Sequence, residues 1–378
     1  MSNNKTKSEK PKPKNGGSME LYSKFLEWHV GNFGPCMGER YDYMEFPIAW
    51  DRSHPLIEHL YYIYKAYCKE LKDFSNIDEV VQEECKTICE NILWIIARAM
   101  NLISKDNKNN ETIKSKFDEI FNKLKPYGWK ERFIELAGNK GDSGNSSKTL
   151  TLYKLRQEKH LFAHNDFYHV PFDKLYLSNT ERFSAMGYPC LYLGYSAEDC
   201  LFELEKKKGT IAEMKLIAKL KILDLTMPPL GTQRKINDMF LLWPLLAACY
   251  VAPPRSLHAN FKEEYVFPQQ LTRYLLEKGI PKDEKNTERV KVDGIRYYSC
   301  RKKDLDPQKE DYMNLVLFTK MHEDNSNEDN SNKEERQENE TLHSPVPFST
   351  LMKRYDMNLM NKFEITKIYT VDYEKSES

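Results

Sequence analysis

TERFSAMGYPCLYLGYSAEDCLFELEK, Thr180 to Lys206, reads as a turn, a strand and a helix in direct succession. Gly187 and Pro189 mark the turn, and Leu191, Tyr192 and Leu193 form a short strand. Ser196 is a helix N-cap with Glu198 and Asp199 in the positive first turn, so the spacing predicts a helix from Ala197 to Lys207 that carries Glu203. Arg182, Tyr192 and Glu203 are the side chains of this run with chemistry to offer.

Strands and helices continue on both sides. Upstream, Leu150, Leu152 and Leu155 open a strand that ends in Arg156. Downstream, Met214, Leu216, Ala218, Leu220 and Ile222 alternate with Lys215, Lys219 and Lys221, the period of a half-buried strand, with Ile217 as the exception. Pro268 opens a helix that closes at Gly279, and further strands are expected at Gly294–Ser299, Met313–Thr319 and Glu364–Asp372. The C-terminal part is therefore mixed α and β. Glu323 to Glu340 holds eight acids against two bases and no apolar residue, so it is expected as a solvated insertion (323–342) within a domain spanning 150–374.

The N-terminal part has another period. Leu56, Leu60, Ile63, Tyr64, Tyr67 and Leu71 recur at three- and four-residue steps, as do Val81, Cys85, Ile88, Ile92 and Ile96, and a third helix is expected from Ile113 to Leu124, before Pro126. This predicts an all-α region over 18–136, after a lysine-rich disordered tail (1–17) and before a Gly/Ser/Asn-rich linker (137–149). The tail has no apolar run for a signal peptide or membrane anchor, so a cytoplasmic location is expected.

Composition narrows the chemistry. The 57 basic and 57 acidic residues cancel, which removes the broad positive field expected of a duplex-binding protein. The eight cysteines include no CxxC pair and have no His cluster beside them, so no metal is expected; Cys85 and Cys89 read as small buried helix residues.

Five ordered elements resemble the RES family, enzymes named for an Arg, a Glu and a Ser. They are Arg156 at the end of the first strand, Arg182 before Phe-Ser and the Gly187-x-Pro189 turn, the Leu-Tyr-Leu strand leading to Glu203, Tyr265 with Pro268 and Gln269, and Asp293-Gly294-Ile295 followed by Tyr298 and Ser299. The resemblance implies an α+β fold similar to ADP-ribosyltransferases, a split, mainly antiparallel sheet with helices, gripping NAD as substrate. It implies Glu203, Tyr192 and Arg182 as catalytic residues and Arg156, Arg182, Tyr192 and Ser299 as NAD-binding residues. Breaking the nicotinamide–ribose bond develops positive charge on the sugar, which a carboxylate stabilises, and planar guanidinium groups suit a diphosphate. Tyr192 would stack on nicotinamide with its hydroxyl towards the ribose. The acceptor of ADP-ribose is expected to be phosphate or water, and an Xre-type antitoxin is the implied partner. Lys154 stands where the family often has Arg.

Other readings stay open. The same fold serves protein ADP-ribosyltransferases. Arg52 and His59 form the Arg-x6-His spacing of HEPN-type ribonucleases, a loose pattern that chance supplies readily. The helical region otherwise reads as a packed module that positions the enzyme or forms a homo-oligomer.

Overall fold

The computed structural model describes residues 46–50, 52–73, 77–102, 112–126, 132–137, 150–157, 163–184, 187–226, 236–252, 261–281, 289–301, 312–320 and 355–372. The expected tail (1–17), the linker from 138 and the acidic insertion (323–342) lie outside them.

Three helices open the described chain: α1 (Leu56–Asp73), α2 (Glu79–Ala99) and α3 (Ile113–Leu124). Every periodic apolar residue read from the sequence on α1 and α2 is buried. Asp78 caps α2 by accepting from Val80 N, and Thr112 and Ser115 form a reciprocal capping box on α3, which ends where Pro126 predicts.

The strands are β1 (Phe133–Ala137), β2 (Thr151–Arg156), β3 (Cys190–Gly194), β4 (Lys208–Leu216), β5 (Lys219–Asp224), β6 (Ile280–Pro281), β7 (Arg289–Val290), β8 (Gly294–Tyr298), β9 (Met313–Phe318) and β10 (Phe363–Asp372). Between them lie α4 (Ala197–Glu203), α5 (Ile236–Cys249), α6 (Val266–Lys278) and α7 (Met357–Met360). Eight strands form one sheet in the order β1-β5-β8-β9-β3-β2-β4-β10, antiparallel throughout except for the β5–β8 pair, and β6 pairs with β7 apart from it. The fold is α+β, as expected.

Two strands adjacent in sequence sit far apart in that order. β4 and β5 are five places apart, about 24 Å in a flat sheet, yet only Ile217 and Ala218 separate them, a gap the chain crosses in about 10 Å. The sheet therefore bends back on itself. β2, β4 and β10 form one half, the other five strands the second, and β2 meets β3 at a single residue pair, Tyr153 with Gly194. Leu152, Met214 and Leu216 from one half and Leu191, Leu220, Ile222, Leu315 and Leu317 from the other share the core between them. The alternating run expected as one strand is thus two, broken at Ile217, whose N–H bonds Lys362 O at 2.9 Å.

The region expected to be all helical does not stand alone. Its last residues form β1, which pairs with β5, and α1–α3 share one apolar core with α5, α6 and the β8–β9 face of the sheet. The α5 helix is apolar on every side and contains Pro244. Proline lacks the N–H that would bond the carbonyl of residue 240, and the Tyr67 hydroxyl donates to that oxygen at 2.6 Å; Tyr64 donates to Pro244 O at 2.8 Å. Both phenols are buried, and the Tyr67 hydroxyl supplies the donor that α5 lacks at the Phe240 carbonyl. Among the described residues, no helix is long and apolar enough to cross a membrane.

Candidate functional site

The α4 helix begins as expected, with Ser196 Oγ accepting from Asp199 N at 2.9 Å, but it ends at Glu203 instead of Lys207. Leu204 caps it, and Glu205 takes a left-handed backbone conformation (φ 51°) that turns the chain towards β4. Glu203 therefore occupies a helix terminus facing the ends of β8 and β9.

Its carboxylate is held from there. The Ser299 hydroxyl donates to Glu203 Oε2, and Asn314 Nδ2 reaches the same oxygen at 3.3 Å. Glu203 Oε1 has no hydrogen-bond partner among the described residues. Ser299 is buried and also accepts from Arg301 N at 3.2 Å. Asn314 is the single polar residue in the otherwise apolar strand MNLVLF, and that lone break in the pattern was its signal in the sequence.

Arg182 is buried with its guanidinium against the carbonyl oxygens of Cys249 and Val251, at 2.9 Å each, and its carbon 5.0 Å from the centre of the Tyr265 ring. Burial opposes its charge, while Cys300, Tyr265, Glu264 and Glu203 favour it and raise its pKa overall. Arg156 gives Nε to Asp166 O (2.6 Å) and Nη2 to Tyr168 O (3.0 Å), clamping the turn after β2. Both arginines thus spend donors on backbone carbonyls that no local sequence pattern announces.

Tyr192 takes a similar place. Its hydroxyl accepts from Phe183 N and donates to Ser184 Oγ, both at 3.2 Å, and burial raises its pKa well above the usual phenol value. The hydroxyl expected to face a ribose is instead engaged with the 183–184 turn, the segment that presents Arg182. Gln269 supports that turn from α6, with Nε2 bonding Glu181 O at 2.9 Å and Ser184 O at 3.2 Å. The buried phenol of Tyr297 lies within electrostatic reach of Glu203, Tyr192 and Arg182. Glu203, Ser299, Arg182 and Tyr192 therefore gather around the ends of β3, β8 and β9, whereas Arg156 clamps the turn beyond β2.

Lys154 and Glu181 connect these two parts. Burial, with Arg156 nearby, depresses the Lys154 ammonium to about 7, opposed by Cys200 and Glu181. Burial raises the Glu181 carboxyl, Lys262 opposes this and Glu203 adds to it. The arrangement places a fixed carboxylate beside buried cations, a setting able to stabilise positive charge on one part of a ligand and negative charge on another. Arg52 and His59 are engaged elsewhere: Arg52 Nη2 lies 3.5 Å from Glu264 Oε2, and His59 Nε2 is 2.9 Å from Ala49 O.

The family model of the RES domain matches residues 151–339, half of the chain, and so includes both strands that hold Glu203 and the helix that carries it. The chain is also similar to the protein named "Putative toxin YopC" from Bacillus subtilis (strain 168), with 31% identity over 160 residues, 37% of this chain and 34% of that protein. It therefore spans about a third of the length of the curated relative it matches. No solved structure matches. With the family model covering half its length, the chain belongs to the RES domain family.

Proposed function

We propose that this chain is a toxin-like enzyme that cleaves the nicotinamide–ribose bond of NAD and passes ADP-ribose to phosphate or water. The observation that carries the reading is the Glu203 carboxylate, anchored through Oε2 by Ser299 and Asn314 while Oε1 stays unpaired among the described residues. As nicotinamide leaves, taking the electron pair of the glycosidic bond, the ribose becomes cationic. A carboxylate fixed beforehand stabilises that charge without reorganising.

Arg182 contributes a buried positive charge for the diphosphate, with Tyr265 beneath it and the carbonyls of Cys249 and Val251 fixing its plane. Tyr192 acts by bracing the 183–184 turn and by offering its ring to the nicotinamide. Arg156 shapes the far wall through the turn at Asp166–Tyr168. By the same family reading, an Xre-type antitoxin is the partner that would restrain the enzyme.

Incubation of the full chain with NAD, with and without inorganic phosphate, is expected to release nicotinamide. Formation of ADP-ribose 1-phosphate identifies phosphate as acceptor, and free ADP-ribose identifies water. NAD that stays intact under both conditions refutes the reading.

The Lys154 amine gives the activity a pH dependence. Because its pKa is lowered to about 7, it is charged below that pH and neutral above it, so attraction for a diphosphate is lost as pH rises through this region. Since kcat/KM reports the free enzyme, we expect it to fall about tenfold between pH 6 and 8.5, the worth of one charge-assisted contact. Lys154→Arg, charged throughout, is expected to flatten that fall, and an equally steep profile in the variant would remove Lys154 from the site.

A further inference from the structure

Arg52 lies outside residues 151–339, the part of the chain matched by the family model, yet the segment around it runs along the back of the site. Ile48 pairs with Val251 in a parallel bridge: Ile48 N donates to Tyr250 O and Ala252 N donates to Ile48 O, each at 2.8 Å. The carbonyls of Cys249 and Val251, flanking that contact, are the two that hold Arg182. Four residues beyond Ile48, Arg52 sits in a left-handed backbone conformation (φ 64°), unusual for a residue with a side chain, and its guanidinium lies 5.5 Å from the Trp50 ring centre. Leu56 N then bonds Glu263 Oε2 at 2.9 Å, tying the start of α1 to the residue before Glu264.

Glu264 is the reason Arg52 matters. It is 1% exposed, it lies within electrostatic reach of Arg182, Tyr265 and Cys300, and Arg52 at 3.5 Å is its ion-pair partner. The pair is longer than an ordinary charge-assisted hydrogen bond, and among the described residues neither Glu264 Oε2 nor Arg52 Nε has a hydrogen-bond partner, so what passes between them is charge. Two carboxylates, Glu203 and Glu264, therefore lie within electrostatic reach of Arg182, whose ring contact is Tyr265, the neighbour of Glu264. Remove Arg52, and Glu264 becomes a buried negative charge without its ion-pair partner, within electrostatic reach of Arg182.

We propose that Arg52 is a positioning residue of the catalytic site: by neutralising Glu264 it leaves the positive charge of Arg182 available to the diphosphate of a dinucleotide. The inference rests on the NAD reading above and adds that the N-terminal segment is part of the site. It also gives Arg52 an employment other than RNA cleavage.

The test is calorimetric titration of the full chain with ADP-ribose, beside nicotinamide release from NAD. Arg52→Ala is expected to raise Kd on the order of tenfold, the effect of one unscreened charge several ångströms away at an effective dielectric of about 20. Arg52→Lys, which keeps the charge, should bind within about threefold of the unaltered protein, and so should the double variant Arg52→Ala/Glu264→Gln, in which the orphaned carboxylate is gone. A purely structural role would lower the binding stoichiometry and leave Kd unchanged, and the double variant would then be no better than the single one. Either result overturns the proposal. Should Arg52→Ala fail to fold, Glu264→Gln alone decides, because it must bind as tightly as the unaltered protein or more tightly, and weaker binding sinks the idea. An unaltered protein that binds ADP-ribose but leaves NAD intact refutes the activity and spares the inference, whereas one that releases nicotinamide from NAD but does not bind ADP-ribose overturns the inference and spares the activity.

Discussion

Glu203→Ala is expected to lower nicotinamide release by about 100-fold or more, roughly 2.7 kcal/mol of transition-state stabilisation, while the protein keeps its fold. The site of the change supports both halves. Glu203 is the last residue of a seven-residue helix whose N-terminus is already capped by Ser196, so its side chain carries little of the helix's stability. The loss also frees Ser299 Oγ and Asn314 Nδ2, two buried polar groups that then need water, a cost of about 1 kcal/mol each that lowers Tm by roughly 4 to 8 °C. Glu203→Gln keeps the shape and can still accept from Ser299 but removes the charge, so it should be nearly as inactive as alanine. Steady-state assays beside thermal melts check this, and a glutamine variant near full activity would mean the carboxylate holds a hydroxyl through hydrogen bonds and does not stabilise charge.

Much of the fold was legible where one period dominates a run. The steps along α1 and α2 named their buried faces correctly because each packs one side against a core, and α3 ended where proline forbids continuation. The reading faltered where the period vanishes or where distant contacts decide. The α5 helix, INDMFLLWPLLAAC, has apolar residues on all faces and an internal proline, so neither periodicity nor breaker rules marked it as a helix. The alternation across Ile217 is real on both sides, yet nothing local tells that the chain leaves one half of the sheet there for the other. Nor could periodicity reveal that 133–137 joins the sheet, since that depends on the pairing of Phe133 with Leu223, ninety residues on.

The site divides along the same line. Residue types follow from chemistry and from the resemblance, but the partner of Ser299 does not: read as a hydrogen bond to the cofactor, its hydroxyl is given to Glu203. What the arginines bond does not follow. Arg156 and Arg182 were read as hands for a diphosphate, but each also braces carbonyls of a segment that only tertiary folding brings near. Tyr265 and Gln269, read only as a helix start, prove to be the support beneath Arg182 and the 181–184 turn.

Gly294→Ala is expected to destabilise the protein by about 3 kcal/mol, the cost of forcing a methyl into a closed space, and to lower activity with it. Gly294 pairs on one side with Ile222 of β5 and on the other with Leu317 of β9, so β8 is an interior strand that cannot swing away. A Cβ there would lie 2.1 Å from Val316 O and 2.9 Å from Leu317 Cδ2, and the first of these is backbone, which no rotamer change relieves. The preceding residue fixes the register: Asp293 N donates to Lys221 O (2.7 Å), Asp293 O accepts from Phe318 N (2.8 Å), and its Oδ2 accepts from Lys221 N (2.9 Å). The Asp-Gly pair therefore serves as the junction at which β5, β8 and β9 are locked together. Ser299 lies just past the end of the same strand, and Asn314 is paired opposite Tyr297, so a displacement of β8 from β9 pulls apart the two donors that hold Glu203. Thermal melts should show Tm lowered by roughly 6 to 12 °C, with turnover reduced even well below the new midpoint. A Gly294→Ala protein with unaltered Tm would mean that β8 lies farther from β9 than this register places it.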